Sequence, residues 1–393
     1  MIRHLFKLIW NRKKSNFLLI TEIFFCFLVL FAVLSFIFYN VRNYTKPLGF
    51  KHESVWLLTM RPSTDSAALN HQNLEQVIQR VRAFDEVNHA SLTTSNAPFA
   101  FSRMNTFLSY SKVKELVADE YHVQQDFKDV MQLQVSQGRW FGPQDDATHH
   151  VPIVINGKLK QQLFGEEDAV GKVFPKNDTI NYQVVGVLDH YRASSEFSAE
   201  EPAFFERINL SESNTSFWSE LLIRVKPGTG VAFEEKMVRE ISGISKDWTL
   251  EVSTLEKMRQ SKSKLTLIPM IALGLVCGFL ILNVALGLFG VLWYNISRRN
   301  GEIGLRRALG AASTQIYWQF IGEVLVLATF GLLLGVFFAV QFPLLQVFQV
   351  ESEVYFTALL CAVGIIYLLT ALCAFYPSRQ AAAILPATAL HEE

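Results

Sequence analysis

Cysteine is scarce: the 393 residues hold four, Cys26, Cys277, Cys361 and Cys373, all inside long apolar runs. No disulfide framework can brace the polar stretch between the first and second of them, so a domain there must be held by its own core. Charge imbalance is also missing. The 36 Lys+Arg balance 36 Asp+Glu, with no basic tract or acidic tail, which gives no reason to expect nucleic acid or a strongly charged ligand as partner. Charged residues make up only 18% while 50% are hydrophobic, and mean hydropathy is +0.21; this is not the composition of an ordinary soluble protein. Catalytic signatures are absent too: there is no nucleophile elbow, no His-Glu-x-x-His and no carboxylate pair spaced for acid/base work. His149-His150 has no third His or Cys nearby and reads as an exposed loop, so no metal site is expected. Residues 165–173, GEEDAVGKV, imitate a phosphate-binding loop, but the glycine spacing is one too long and Val173 stands where a hydroxyl is needed.

What the chain has is apolar length. Residues 17–39 are apolar but for Thr21, Glu22 and Ser35, and about 20 such residues cross a bilayer as a helix. Residues 265–294, 316–342 and 355–376 repeat the pattern, so four spans are expected. The first has a basic, signal-like start, yet its apolar part is too long and no small-x-small cleavage pattern follows, so it should remain as an anchor. Lys and Arg in short segments set orientation. Arg3, Lys7, Arg12, Lys13 and Lys14 precede the first span, Arg298, Arg299, Arg306 and Arg307 lie between the second and third, Arg379 follows the fourth, and residues 343–354 have none. Segments 1–16, 295–315 and 377–393 are therefore expected in the cytoplasm, and residues 40–264 outside it.

The fold class expected is a membrane protein with four transmembrane helices and a large mixed α/β domain inserted between helices 1 and 2. Within that domain, residues 54–60, 74–84 and 88–94 read as strand, helix and strand, and residues 220–225, 232–241 and 248–253 repeat the order. The two halves can share one sheet. Residues 151–155, 158–164 and 182–188 form a further strand, helix and strand set that reads as an insertion or second lobe.

Inside the spans, Gly274-x-x-x-Gly278 and Gly331-x-x-x-Gly335 permit close helix approach in lipid, at a dimer seam or within one subunit. Glu22 and Glu323 lie near the expected cytoplasmic ends, where snorkelling or an interhelical bond is expected rather than a proton path. The second span, about 45 Å of helix against roughly 30 Å of hydrocarbon, either projects as a stalk hinged at Pro269 or tilts. More spans, inverted repeats and midplane polar groups would mark a secondary transporter; the sequence has none.

Residues 297–314, SRRNGEIGLRRALGAAST, carry the sharpest signal. Arg299, Glu302, Ile303, Gly304, Arg306, Arg307, Ala308, Leu309, Gly310 and Ala311 match the R-x-x-EIG-x-RRALGA loop of the FtsX-like permease family, the membrane subunits of MacB-type ABC transporters. Tyr376-Pro377, Arg379, Ala381, Pro386, Ala389 and Leu390 resemble the family's closing motif. Gly138-Arg139-Trp140-Phe141, Val154-Ile155-Asn156, Leu163-Phe164-Gly165, Gly171-Lys172 and Val184-Val185-Gly186-Val187 resemble the MacB periplasmic core. These matches are collinear over nearly the whole chain.

The resemblance implies a multi-pass permease of the bacterial inner membrane. It would work as a dimer with a second copy or a sister permease, in contact with membrane lipid and a periplasmic adaptor. It also implies that ATP and Mg belong to an ABC ATPase, with no cofactor in this chain. Only about sixteen residues precede the first span, too few for the fused ATPase domain of MacB itself, so the ATPase is expected as a separate subunit. The resemblance makes the 297–314 loop the ATPase-coupling element, through Arg298, Arg299, Glu302, Ile303, Gly304, Arg306, Arg307, Leu309 and Gly310. Physically, Ile303, Leu305, Ala308 and Leu309 offer an apolar edge beside two arginines, suited to a partner's groove. The competing reading is that the arginines only fix topology and snorkel to headgroups, to which a carboxylate at Glu302 adds nothing. Three functions stay open: export or extraction of a drug, peptide or lipid-linked substrate; mechanotransmission to an extracytoplasmic partner such as a cell-wall hydrolase; and a sensor without an ATPase.

Overall fold

A computed structural model describes residues 13–63, 67–93, 96–177, 179–208, 220–345 and 347–383. The basic residues Arg3, Lys7 and Arg12 and the closing Pro386, Ala389 and Leu390 lie outside these. The chain divides into two units, residues 43–266 and the remainder. In chain order, α1 (Lys13–Tyr44) leads into the first of these through β1 (Val55–Pro62), α2 (Ala67–Arg82), β2 (Val87–Thr93), β3 (Asn105–Tyr110) and β4 (Val113–Val123). There follow α3 (Phe127–Met131), β5 (Val135–Gly138), β6 (Val151–Asn156), α4 (Gly157–Phe164), β7 (Val173–Pro175), β8 (Asn181–Leu188) and β9 (Ala203–Arg207). β10 (Glu220–Val225), α5 (Val231–Ile244) and β11 (Trp248–Thr254) complete it.

Among the described residues the strands form one mixed sheet, ordered β11-β1-β10-β2-β4-β9-β6-β8-β5, with β3 on β4 and β7 on β8. β10 lies antiparallel between β1 and β2, and β1 antiparallel between β10 and β11. The two expected strand-helix-strand halves are therefore split units that interlock rather than stand side by side. The inserted set continues the same sheet across one bridge, Thr93 to Val123. Gln124 reinforces that narrow joint: its backbone amide donates to the Leu92 carbonyl at 3.3 Å and its side chain accepts from the Leu92 amide at 3.1 Å.

Strand parity then divides the core. Leu58, Leu92 and Ile223 meet Leu74, Val77 and Ile78 of α2 and Phe233, Met237 and Ile241 of α5. Ile153, Ile155 and Phe204 meet Leu159 and Leu163 of α4. Residues of opposite parity, Leu57, Leu222, Tyr121, Val154 and Phe205, build one further core that runs under both halves. Burying side chains of this size stabilises by about 1.5–3 kcal/mol each, which is how a domain without disulfides holds together.

The second unit contains α6 (Leu255–Ser297) from its thirteenth residue on, α7 (Asn300–Ala308), α8 (Ser313–Ala339), α9 (Gln341–Leu344) and α10 (Ser352–Ala383). Four helices, α1, α6, α8 extended through α9, and α10, are long and apolar enough to cross a membrane. Gly331 and Gly335 let α8 press on α1: a Cβ at Gly335 would come within 2.3 Å of Phe27, and one at Gly331 within 2.9 Å of Ile23. Thr329 and Tyr367 join α8 to α10 by a 3.0 Å hydrogen bond. Helix α6 is different. Only 6% of its apolar window is buried, against 39%, 39% and 28% for the other three. Among the described residues nothing would touch a Cβ at Gly274 or Gly278, so one glycine pair serves packing inside the subunit and the other is open.

Candidate functional site

The loop between α6 and α8 is a short helix, and its sequence explains its ends. Glu302 stands in the first turn and Arg306 and Arg307 in the last, each sign complementing the helix dipole. At the C-terminus the Ala311 amide donates to the Arg306 carbonyl at 3.0 Å and the Gly310 amide to the Arg307 carbonyl at 3.1 Å. This is a Schellman cap, and it needs the left-handed conformation that Gly310 adopts at φ 96°.

The inward face anchors the helix within its own unit. Ile303, 3% exposed, packs with Ile296, Ile316, Phe320 and Ala381, and Gly304 is buried beside it. Arg299 pairs with Glu323 of α8 at 2.9 Å, the two side chains only 10% and 15% exposed. Gln319 extends the network, donating to Glu323 at 3.1 Å and accepting from Arg306 at 3.1 Å. Arg306 also pairs with Glu302 at 2.5 Å, and Arg307 donates to Ser313 at 2.5 Å. Arg298 lies over the Tyr294 ring at 5.3 Å.

The outward face carries Gly301, Glu302, Leu305, Ala308, Leu309 and Gly310, all exposed. The residues expected to share one apolar edge are thus separated: Ile303 turns into the core, while Leu305, Ala308 and Leu309 face out. Glu323 and Gln319 had no motif to announce them. The only hint was a carboxylate inside an apolar run, which the structure resolves as an interhelical ion pair.

A second constellation lies at the other end of α6, inside residues 43–266. No residue separates β11 from α6. Thr254 caps the helix by accepting from the Lys257 amide at 3.2 Å, and Leu255 is fully buried in the core that runs under both sheet halves. Arg259 pairs with Glu256 at 2.8 Å and with Glu196, and Lys262 donates to the Ala100 carbonyl at 2.9 Å. The same loop receives the end of α1, since Asn43 donates to the Phe197 carbonyl at 3.0 Å and Tyr44 stacks on the Phe197 ring. Arg192 shapes that loop through the carbonyls of Lys46, Glu196 and Ser198, each at 2.7 Å.

Gly138 to Phe141 is structural. Gly138, at φ 69°, and Gly186 sit where a Cβ would come within 2.3 Å of the Val185 carbonyl and 2.1 Å of the Arg139 carbonyl, so glycine is required for β5 to meet β8. Trp140 and Phe141 are core residues. Burial opposes the charge of Asp145, but the Arg139 fork at 2.7 and 2.5 Å and the Gly142 amide at 2.8 Å hold its carboxyl below the usual range. Gly165 and Gly171 take positive φ at turns.

His149 is exposed. Among the described residues, Glu120, His122 and Glu206 come within metal-binding range of one another, a cluster the sequence did not reveal because two strands supply it. The Lys176 ammonium already sits 2.6 and 2.8 Å from the Glu206 oxygens, and Tyr182 donates to one of them at 3.2 Å. That is the geometry of an internal ion pair.

Residues 274–386 match the FtsX-like permease C-terminal family and residues 23–240 the MacB-like periplasmic core domain. The macrolide export ATP-binding/permease protein MacB of Wolinella succinogenes is 25% identical over 68% of this chain, and MacB 2 of Aeromonas hydrophila is 27% identical over 68%. The chain spans 42% of the length of each. The ABC transporter permease YvrN of Bacillus subtilis is 25% identical over 70% of both chains. The crystal structure of the periplasmic region of MacB from Actinobacillus actinomycetemcomitans covers 56% of this chain and 95% of its own, at 13% identity and a TM-score of 0.38.

Proposed function

The chain belongs to the MacB/FtsX-type ABC transporter permease family, and from that premise we propose that it is the non-catalytic membrane subunit coupling a partner's ATP hydrolysis to movement of residues 43–266, for export or extraction of a drug, peptide or lipid-linked substrate. ATP and Mg belong to the ATPase. Both termini and α7 face the cytoplasm, and the sheet unit lies outside the inner membrane.

The observation that carries this reading is the two-sided character of α7. Its inward face is fixed to α8 and α10 by Ile303 and by the Arg299–Glu323 pair, while Leu305, Ala308 and Leu309 stand exposed beside Glu302. A signal for topology alone needs charge but no buried anchor and no apolar outer strip; a docking helix needs both. Arg306 and Arg307 stiffen this helix through Glu302, Gln319 and Ser313 and border the docking strip. Motion reaching α7 passes along α6, whose far end is set in the sheet core at Leu255. A second copy or sister permease packs on the bare face of α6 at Gly274 and Gly278, and a periplasmic adaptor meets the outside unit.

Affinity purification of the full chain in mild detergent, with mass spectrometry and an ATPase assay, tests this. Recovery of a nucleotide-hydrolysing partner with substrate-stimulated turnover is the expected result; recovery of the chain alone across several detergents overturns it. The rooting of α6 in the sheet core also favours mechanotransmission, because a force path needs no substrate route. Stimulation by a wall hydrolase, and by no small molecule or lipoprotein, selects that reading.

A further inference from the structure

At the end of the helical unit that carries the 343–354 loop, a cavity of about 280 Å³ opens between α1, the loop and the start of α10. Its back wall is a set of rings: Phe31 meets Phe342 edge-on at 5.8 Å and Tyr355 at 6.2 Å, and Phe342 meets Tyr355 at 6.1 Å. Phe36, Tyr39 and Phe348 complete the aromatic lining, and Ala32, exposed, stands on the open side. We propose that this cavity binds one acyl chain of a membrane phospholipid, which enters from the side past Ala32.

Two polar side chains of the lining are already partnered within the protein, which favours hydrocarbon. Ser35 donates its hydroxyl to the Phe31 carbonyl of its own helix at 2.7 Å, and Tyr355 donates to the Val347 carbonyl at 2.8 Å, so neither is aimed at a ligand. A dry apolar cavity of roughly 150 Å³ already takes up benzene, and this one is larger and lies in a helix bundle read as a membrane domain. Because lipid tails are as apolar as the lining, water exclusion gives no preference; the chain gains dispersion contacts with the rings that line the cavity.

The rim supports the same occupant. Leu344, Leu345 and Phe348 are 75%, 73% and 83% exposed on the segment that closes the cavity, apolar side chains suited to lipid rather than water. Phe348 is held at φ 58° and ψ 14°, a left-handed conformation unfavourable for a bulky residue. That backbone places its ring at the mouth. One turn beyond Tyr39, Arg42 pairs with Glu353 at 2.8 Å and with Glu351, a polar collar at the level expected for the headgroup.

The test uses the full chain in nanodiscs containing a phospholipid with a photoactivatable group in mid-chain. Adducts should concentrate on residues 31–39 and 342–355, several-fold above those on the exposed face of α10 at Leu360, Leu368 and Leu372. Ala32→Trp, which fills the open side, should remove the first set and leave the second; Ser35→Leu is a milder filler should the tryptophan variant misfold. Equal labelling of both regions, or cavity labelling unchanged by both fillers, overturns the proposal. So does an Ala32→Cys variant that forms a disulfide with its copy, which would assign the cavity to a second permease, and so does loss of the cavity adducts on adding a transported amphiphile.

Discussion

Docking of the ATPase on α7 makes a quantitative demand. Leu→Ala removes three carbons, about 2.4 kcal/mol at roughly 0.8 kcal/mol per carbon when a fully exposed side chain becomes fully buried. Leu305 is 52% and Leu309 79% exposed, so Leu305→Ala with Leu309→Ala forfeits about 3 kcal/mol, roughly a hundredfold in Kd. Arg306→Ala breaks a pair with Glu302 that is 42% and 50% exposed, and such surface pairs contribute at most about 1 kcal/mol. The assay is equilibrium titration of labelled ATPase onto the full chain in nanodiscs, with thermal unfolding as the control. Both leucines lie on the surface and alanine is a good helix former, so the unfolding midpoint should stay put. If the leucine pair leaves Kd within about threefold while Arg306→Glu with Arg307→Glu abolishes binding, docking is electrostatic and the apolar strip has another use.

Four further outcomes follow from the same geometry. Glu323→Gln leaves Arg299 buried without its counter-charge; losing one partner of a buried pair costs about 3–5 kcal/mol, and the residual exposure of this pair favours the lower end, seen as a fallen unfolding midpoint together with weaker ATPase coupling. Gly335→Leu drives a side chain into Phe27 and should destabilise the monomer by about 1–3 kcal/mol as overpacking does, whereas Gly274→Leu should leave monomer stability alone and reduce dimer recovery in cross-linking. Burial raises Glu220 to about 7 against the backbone bond at Ala97 and the charge of Arg61, and burial raises Asp119 to about 6 despite Arg103. Both folded carboxyls keep protons that the unfolded chain loses near pH 4, so stability should fall as pH rises from about 4.5 to 7; Glu220→Gln should remove about half of that slope, roughly 3 kcal/mol. Asp145, held low, acts in the opposite sense and loses its contribution only as pH falls below about 4. Glu196→Gln removes one of the two partners of Arg259 in the sheet unit and should lower substrate-stimulated ATPase activity while leaving ATPase binding to α7 unchanged.

Where local pattern determines structure, the sequence was readable. The four apolar runs and the strand-helix-strand repeats each rest on residues close in the chain. The β3–β4 hairpin was missed because its apolar residues Phe107 and Val117 face outward, 68% and 46% exposed, which blurs the alternation. The order of the sheet was beyond local reading, since β10 joins β1 and β2 from more than a hundred residues away. The loop at residues 297–314 was recognisable by resemblance, but which of its side chains turn inward depends on helix phase: Ile303 and Leu305 are two positions apart and so face opposite ways. Glu323, Gln319, Arg192 and Glu196 act through partners on other elements, and no spacing rule connects them to those partners.

Bareness of α6 alone does not call for a partner protein, because lipid covers an apolar helix as well as another helix does. What distinguishes this helix is the combination of two facts. Its glycines at 274 and 278 permit an approach that no helix makes among the described residues, whereas Gly331 and Gly335 show what the chain does with such a pair when the contact is internal. Its first residue is also a core residue of the sheet unit. A helix packed on all sides by its own subunit would be fixed by that packing. One that packs on its own subunit along one side only, through Cys277, Val284, Leu288 and Leu292, and is anchored at Leu255 can instead transmit a displacement imposed at its other end, where α7 begins three residues after α6 stops. Dimer contact and force transmission then fall on the same element, so a substitution at Gly274 should disturb coupling even where α7 still holds the ATPase.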